Sequence, residues 1–214
     1  MLSANYTSEN VCRAMGMGGF ANDWQLAEAD QSIRVLLLPS FHREVCVSVL
    51  CKGSSVLVSV VAAVSQIWLQ DWPVPQSTST EQDSGTLAEP QFANLSSLLH
   101  VASEPKPARR FVVVDGMRAH SVLRAEREGK LNLNQNVAYD PSYRAFVAEL
   151  VSQSHSAIKS PSIRNALGDA GSYVGLQLPV EVVPPAKEVV RTMVLRSPEE
   201  TAQLLDALRK KHEG

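Results

Sequence analysis

Two short stretches of this chain hold the residue types of acid–base or nucleophilic chemistry. Ser40, His42 and Glu44 stand close together in sequence, and a hydroxyl, an imidazole and a carboxylate are the groups that nucleophilic catalysis uses. The usual setting for a serine nucleophile is a sharp strand-to-helix turn of the G-x-S-x-G kind, which is missing here. On a strand, Ser40 and His42 share one face with no acid set to orient the imidazole, so the stretch also reads as a strand-end cluster. Asp115 and His120 are the second pair. General acid–base work needs such a carboxylate and imidazole within reach of each other and of a cleft. Asp115-Gly116 is equally a turn signal, since Asp supplies a local hydrogen bond and Gly a positive φ. A small hydrolase using His42 or His120 with Asp115 is one expectation from these residues.

Spacing points away from a metal or a cofactor. The five histidines, His42, His100, His120, His155 and His212, form no H-x-H or H-x-x-x-H pair. Cys12, Cys46 and Cys51 form no C-x-x-C. Gly16-Met17-Gly18-Gly19 lacks the preceding strand and the Lys-Ser/Thr of a phosphate loop, so it reads as a helix stop. Asn132, Asn134, Gln135 and Asn136 are a different kind of group. An amide-rich strand can bind a partner without the desolvation cost of charge, or simply face solvent. Residues 73–90, PVPQSTSTEQDSGTLAEP, read as a long polar loop that could face a partner, with Glu81 and Asp83 as its charged contacts.

The elements that must position these groups follow from periodicity and turn chemistry. Ile33–Leu38 reads as a buried strand, and Val45, Val47 and Val49, then Val56, Val58 and Val60, alternate as strands do. Lys52-Gly53 is a turn between them. Phe92, Leu95, Leu99 and Ala102 follow helical spacing over 91–102. Residues 110–151 then read as three strands separated by Asp115-Gly116 and Glu128-Gly129-Lys130, followed by a helix that opens at Asp140-Pro141. Tyr143, Phe146, Val147, Leu150 and Val151 are its apolar stripe. Ser160-Pro161 starts another short helix, and 173–183 and 188–196 read as strands around Pro184-Pro185. Ser197, Pro198 and Glu200 open a final helix with a capping box. A short helix near Ser8 begins the chain, and Trp24 is expected to dock the segment that follows it.

Hairpin-length turns dominate and β-α-β crossovers do not, so the expected fold class is α+β, antiparallel β-meanders with helices packed on one face. The expected organisation is a single domain over 1–214. Its parts are an irregular or helical segment at 1–32, a first meander and helix at 33–102, a second at 110–154, and C-terminal strands and helix at 160–214. At 214 residues such a chain buries roughly 70% of its unfolded surface and needs no disulfide or metal to fold.

Charge and cysteine usage bound the function. Lys plus Arg is 20 and Asp plus Glu is 22, a net charge of −2, which argues against a nucleic-acid partner. Cys46 and Cys51 lie an odd number of residues apart on one strand and point to opposite faces, so reduced, buried thiols in a cytoplasmic setting are expected. No apolar segment has membrane-spanning length, so no membrane is expected.

The runs Leu37-Leu38-Pro39-Ser40-Phe41-His42, Asp115-Gly116 with His120, Glu128-Gly129-Lys130 and Asp140-Pro141-Ser142-Tyr143 carry a resemblance. Over residues 33–151 the chain resembles small uncharacterised bacterial α+β proteins with a leucine-rich strand entering Ser/Thr-Phe-His and a later Asp-Gly turn. His120 stands where that group carries an aromatic. The resemblance implies a fold and no activity. The leading expectation for function is a non-catalytic protein-binding module. Its specific form is a bacterial immunity or antitoxin-like protein that occludes a toxin by shape and charge, with Asn132, Asn134, Asn136, Glu81 and Asp83 as contact residues. An oligomer-forming structural component is the third expectation, through exposed strand edges.

Overall fold

A computed structural model describes residues 7–21, 23–67, 77–105, 116–125 and 129–182. Alternating valines build the middle of one antiparallel sheet from β1 (Gln31–Pro39), β2 (Val45–Lys52) and β3 (Ser55–Ala63). Val35 lies opposite Val47, and Val47 opposite Val60, so one face is a continuous apolar surface. The β2–β3 turn uses Gly53 at φ 56°, where a side chain would be strained. Its backbone N–H donates to the Asp30 carboxylate at 2.8 Å.

The sheet grows outward from both sides of this centre. Beyond β3 lies β4 (Thr80–Leu87). On the other side of β1 come β5 (Met117–Ala125) and then β6 (Gly129–Asn136). The order is β4-β3-β2-β1-β5-β6, antiparallel throughout. β4 corrects the sequence expectation of a loop across 73–90. The polar run TEQDSGTL is a poor strand former alone, but it pairs with β3 from Val56–Leu87 to Ala63–Thr80, and that ladder overrides propensity.

Three helices cover one face: α3 (Glu89–Ser103), α4 (Pro141–Ala157) and α5 (Pro161–Ser172), numbered after two short N-terminal helices, α1 (Ser8–Ala14) and α2 (Trp24–Ala27). α4 begins where its cap is: the Asp140 carboxylate accepts the N–H groups of Ser142 at 2.8 Å and Tyr143 at 3.3 Å, and Pro141 follows it. Its stripe Tyr143, Phe146, Val147, Leu150 and Val151 is fully buried, each side chain contributing about 1.5–3 kcal/mol of apolar transfer. Phe92, Leu95, Leu99 and Ala102 do the same for α3. Together they enclose the main core against Val35, Val47, Val58 and Leu123. The chain is α+β.

The opposite face is not bare. Val11, Cys12, Met15 and Phe20, from α1 and the residues after it, form a second core over Leu36, Cys46, Val61 and Val122. Thr7 caps α1, its hydroxyl oxygen accepting the Asn10 N–H at 3.2 Å. Residues 173–182 form no strand, contrary to the alternation of their sequence. The segment passes α5, where the Asn165 amide takes the part of a neighbouring strand, accepting the Glu181 N–H and donating to the Glu181 carbonyl, both at 2.8 Å. The expected strand at 110–114, Asp115, the Trp24 side chain, the strand at 188–196 and the final helix lie outside the described residues. Among the described residues no helix is long and apolar enough to cross a membrane.

Candidate functional site

The bend from 40 to 44, between β1 and β2, carries the first predicted cluster, and its side chains part company there. The Ser40 hydroxyl donates to the Gly116 carbonyl at 2.6 Å and accepts the Gly116 N–H at 3.1 Å. These two hydrogen bonds tie the Ser40 hydroxyl to Gly116, the residue before β5. The Glu44 side chain turns inward, is fully buried, and accepts the Ile67 N–H at 2.8 Å.

His42 instead meets residues remote in sequence. Its Nδ1 lies 3.0 Å from the Tyr173 hydroxyl, at the end of α5, with the rings edge to face. Its Nε2 lies 3.9 Å from Asp169, one helical turn earlier on α5. The Phe41 N–H donates to the same Tyr173 oxygen at 3.1 Å. The Tyr173 oxygen is thus shared between the Phe41 N–H and the imidazole, with the direction of the His42 bond set by the ring tautomer, while Nε2 faces Asp169. Asp169 is too far for a hydrogen bond and acts as a nearby charge. His42 and Asp169 are 39% and 45% exposed, so solvent screens the pair.

The bend is held stiffly. Besides the Ser40–Gly116 and Phe41–Tyr173 bonds, the Gln66 amide donates to the His42 carbonyl at 2.9 Å. On this pinned backbone the Phe41 side chain stands 62% exposed. Sequence reasoning singled out His42 but did not connect it with Asp169 or Tyr173, nor single out Phe41 as an exposed contact residue. The only hint was the i, i+4 spacing of Asp169 and Tyr173, since nothing local links α5 to the β1–β2 bend.

The other predicted residues lie elsewhere. His120 sits on β5, on the face covered by α1, stacked on Phe20 with ring centroids 4.4 Å apart and hydrogen-bonded through Nδ1 to the Ser8 hydroxyl. Burial, and then the Arg118 charge, push its pKa below the ordinary imidazole value. Its partner in the expected pair, Asp115, lies outside the described residues. Asn132, Asn134 and Asn136 share the outer face of the edge strand β6. Asn134 accepts from Arg118 at 3.2 Å, and the Asn136 side chain accepts the Ala138 N–H at 2.9 Å.

Glu81 and Asp83 face the helices from β4. Glu81 accepts Arg43 at 3.1 Å and the Ser162 hydroxyl. Asp83 accepts the N–H groups of Ser160 at 2.7 Å and Lys159 at 2.9 Å. These bonds, the Ser160 one foremost, hold its carboxyl below the usual range. Both acids tie the sheet edge to the start of α5.

Under α1 lies a buried polar group that the sequence did not announce. Arg34, on β1, is wholly buried. It donates to the Ser48 hydroxyl at 2.9 Å, the Gly19 carbonyl at 2.8 Å and the Asp23 carboxylate at 2.9 Å. Among the described residues no cluster of His, Cys, Asp and Glu could hold a metal ion.

Known proteins offer no match: no family model, no curated sequence and no solved structure aligns with this chain.

Proposed function

We propose that the protein is a non-catalytic protein-binding module whose contact surface centres on the β1–β2 bend. One observation carries this reading: Phe41 is exposed on a backbone that three hydrogen bonds already fix. A large aromatic held out in water is unfavourable for the free protein, and interface energy concentrates in such rigid aromatic residues because little entropy is lost on binding. His42, Tyr173 and Asp169 surround it with polar groups suited to an interface rim. Asn132 and Asn134, exposed on β6, offer a second, amide-lined surface. The specific form is an immunity or antitoxin-like protein of the bacterial cytoplasm, occluding a toxin. Three free, buried cysteines are consistent with a reducing compartment.

A photo-crosslinking residue at position 41, used in the native host lysate, tests the reading. The expected result is one partner captured in stoichiometric yield, displaced by an excess of wild-type protein but not by an excess of Phe41→Asp protein. A captured set identical to that from a residue placed at exposed Val101 refutes it.

A small hydrolase built on His42 is the second reading. The observation favouring it is the Asp169–His42–Tyr173 sequence of groups, which brings a carboxylate, an imidazole and a phenol together at one surface. Generic ester and phosphate substrates decide it, with His42→Ala and His120→Ala as controls. Turnover retained by both variants removes both histidines from any mechanism.

A further inference from the structure

We propose that the trough along α5 is a docking groove for an extended protein segment of the pattern Leu-x-Leu-x-x-Glu, and that residues 176–182 of the chain itself occupy it as a displaceable strap. The proposal adds a second surface to the binding-module reading and does not depend on Phe41. Residues 176–182, LQLPVEV, follow α5 but belong to no strand and no helix. They lie back along α5 as a bound peptide would, with Leu176 and Leu178 against Gly171 near its end and Glu181 against Asn165 near its start.

The trough reads that segment in three ways. Leu176 and Leu178, two residues apart, pack against the main core, while Gln177 and Pro179 are exposed. Their seat depends on bare helix backbone. A Cβ on Gly171 would lie 3.3 Å from Leu176 Cβ and 3.4 Å from Leu178 Cδ1 and from Val151 Cγ1 of α4, and one on Gly168 would lie 3.9 Å from Leu178 Cβ. Asn165 reads the main chain. Its amide bonds both the N–H and the carbonyl of Glu181 at 2.8 Å, whatever the side chain there. Arg164 reads charge, through an ion pair with the Glu181 carboxylate. Main-chain bonds for affinity and seats for alternate side chains for specificity are how an extended peptide is recognised.

The same features make the strap displaceable. It is fastened by side chains of one helix, so lifting it opens no strand pair. Val180 and Val182 are 84% and 91% exposed, so this stretch buries little of its own apolar surface. The strap departs from α5 through Gly175, whose φ of 88° a side chain would resist, directly after a turn closed by the Leu176 N–H on the Gly171 carbonyl at 3.0 Å. Tethered by so short a link, it competes at an effective concentration of about millimolar, a threshold that a partner segment must exceed.

A fluorescein-labelled peptide of residues 175–182 is titrated into full-length protein and followed by fluorescence polarisation. Leu176→Ser/Leu178→Ser/Glu181→Ala removes the strap's anchors and vacates the groove. The peptide should bind this variant at least about tenfold more tightly than wild type, whose own strap competes. Adding Asn165→Ala should abolish the gain, and a peptide carrying Leu178→Ser should not bind. A vacated variant that keeps its circular dichroism spectrum yet binds no tighter than wild type, or binds equally well with Asn165→Ala, overturns the proposal and leaves the Phe41 crosslinking test untouched. If the variant does not fold, hydrogen exchange of wild-type protein decides. Exchange of 176–182 well ahead of 161–172 supports a strap that lifts, and exchange in step with α5 overturns it.

Discussion

Removing the Asp23 carboxylate should destabilise the protein far more than removing the whole ion pair. The Arg34 guanidinium is 0% exposed and its Nη1 donates to Asp23 Oδ2 at 2.9 Å. In Asp23→Ala the cation stays inside with only the Ser48 hydroxyl and the Gly19 carbonyl, neutral groups that do not balance it. Stranding one half of a buried pair costs about 3–5 kcal/mol. At about 2–4 °C per kcal/mol for a chain of this size, the thermal midpoint falls by about 6–20 °C. Arg34→Met strands the carboxylate instead and carries a similar loss. The double variant Asp23→Ala/Arg34→Met removes both charges and keeps an apolar stem of similar length over Leu36. Its loss should stay below either single loss, within about 2 kcal/mol of wild type, because no unbalanced charge is left inside. Urea unfolding followed by circular dichroism gives all four corners of the cycle. Additivity within about 0.5 kcal/mol would refute the claim that Asp23 neutralises Arg34.

Three further outcomes are expected. A Cβ on Gly85 of β4 would come within 2.3 Å of the Ala157 carbonyl oxygen, so Gly85→Ala should destabilise by about 1–3 kcal/mol despite its gain in chain stiffness; an unchanged urea midpoint would show that β4 gives way freely. Asp140→Ala leaves the Ser142 and Tyr143 N–H groups uncapped and should cost about 1 kcal/mol in the same assay, with helicity lost from α4; a shift within error would mean that water caps the helix equally well. Burial holds His120 and His155 below the ordinary imidazole value, with help from Arg118 and Arg164 respectively. The unfolded chain therefore binds more protons, so stability is complete above about pH 6.5 and falls as pH drops through that value; urea midpoints at about pH 7.5 and 5.5 check this, and a flat profile counts against it.

What could be read in advance was whatever is encoded locally. Val45–Val49 and Val56–Val60 announced their strands because burial on one face and turn residues at both ends leave no other period. Asp140-Pro141 announced α4 because a cap acts on its own first turn. The odd separation of Cys46 and Cys51 placed them on opposite faces, as the two cores have them. β4 was missed because its acids are matched only in three dimensions, by Arg43, Ser162 and the N–H groups before α5. The 173–182 segment misled because the turn after α5 and the Asn165 amide, not another strand, take up backbone groups at its two ends. Of the candidate site only His42 was visible, since its partners on α5 arrive from the far end of the described chain.

β1 has two very different neighbours. Its hairpin partner β2 follows immediately in the chain, whereas β5, on its other edge, returns only after β3, β4 and α3 have been made. Assembly is therefore ordered by loop closure, with the β1–β4 side able to zip up turn by turn while the second flank waits for a long chain segment to come back. Until it does, Leu36 and its row present an open apolar border in the centre of the nascent sheet. By the entropy of loop closure, sealing that border is expected to be the slowest step of folding, and the edge left open until then the one most able to pair with another chain.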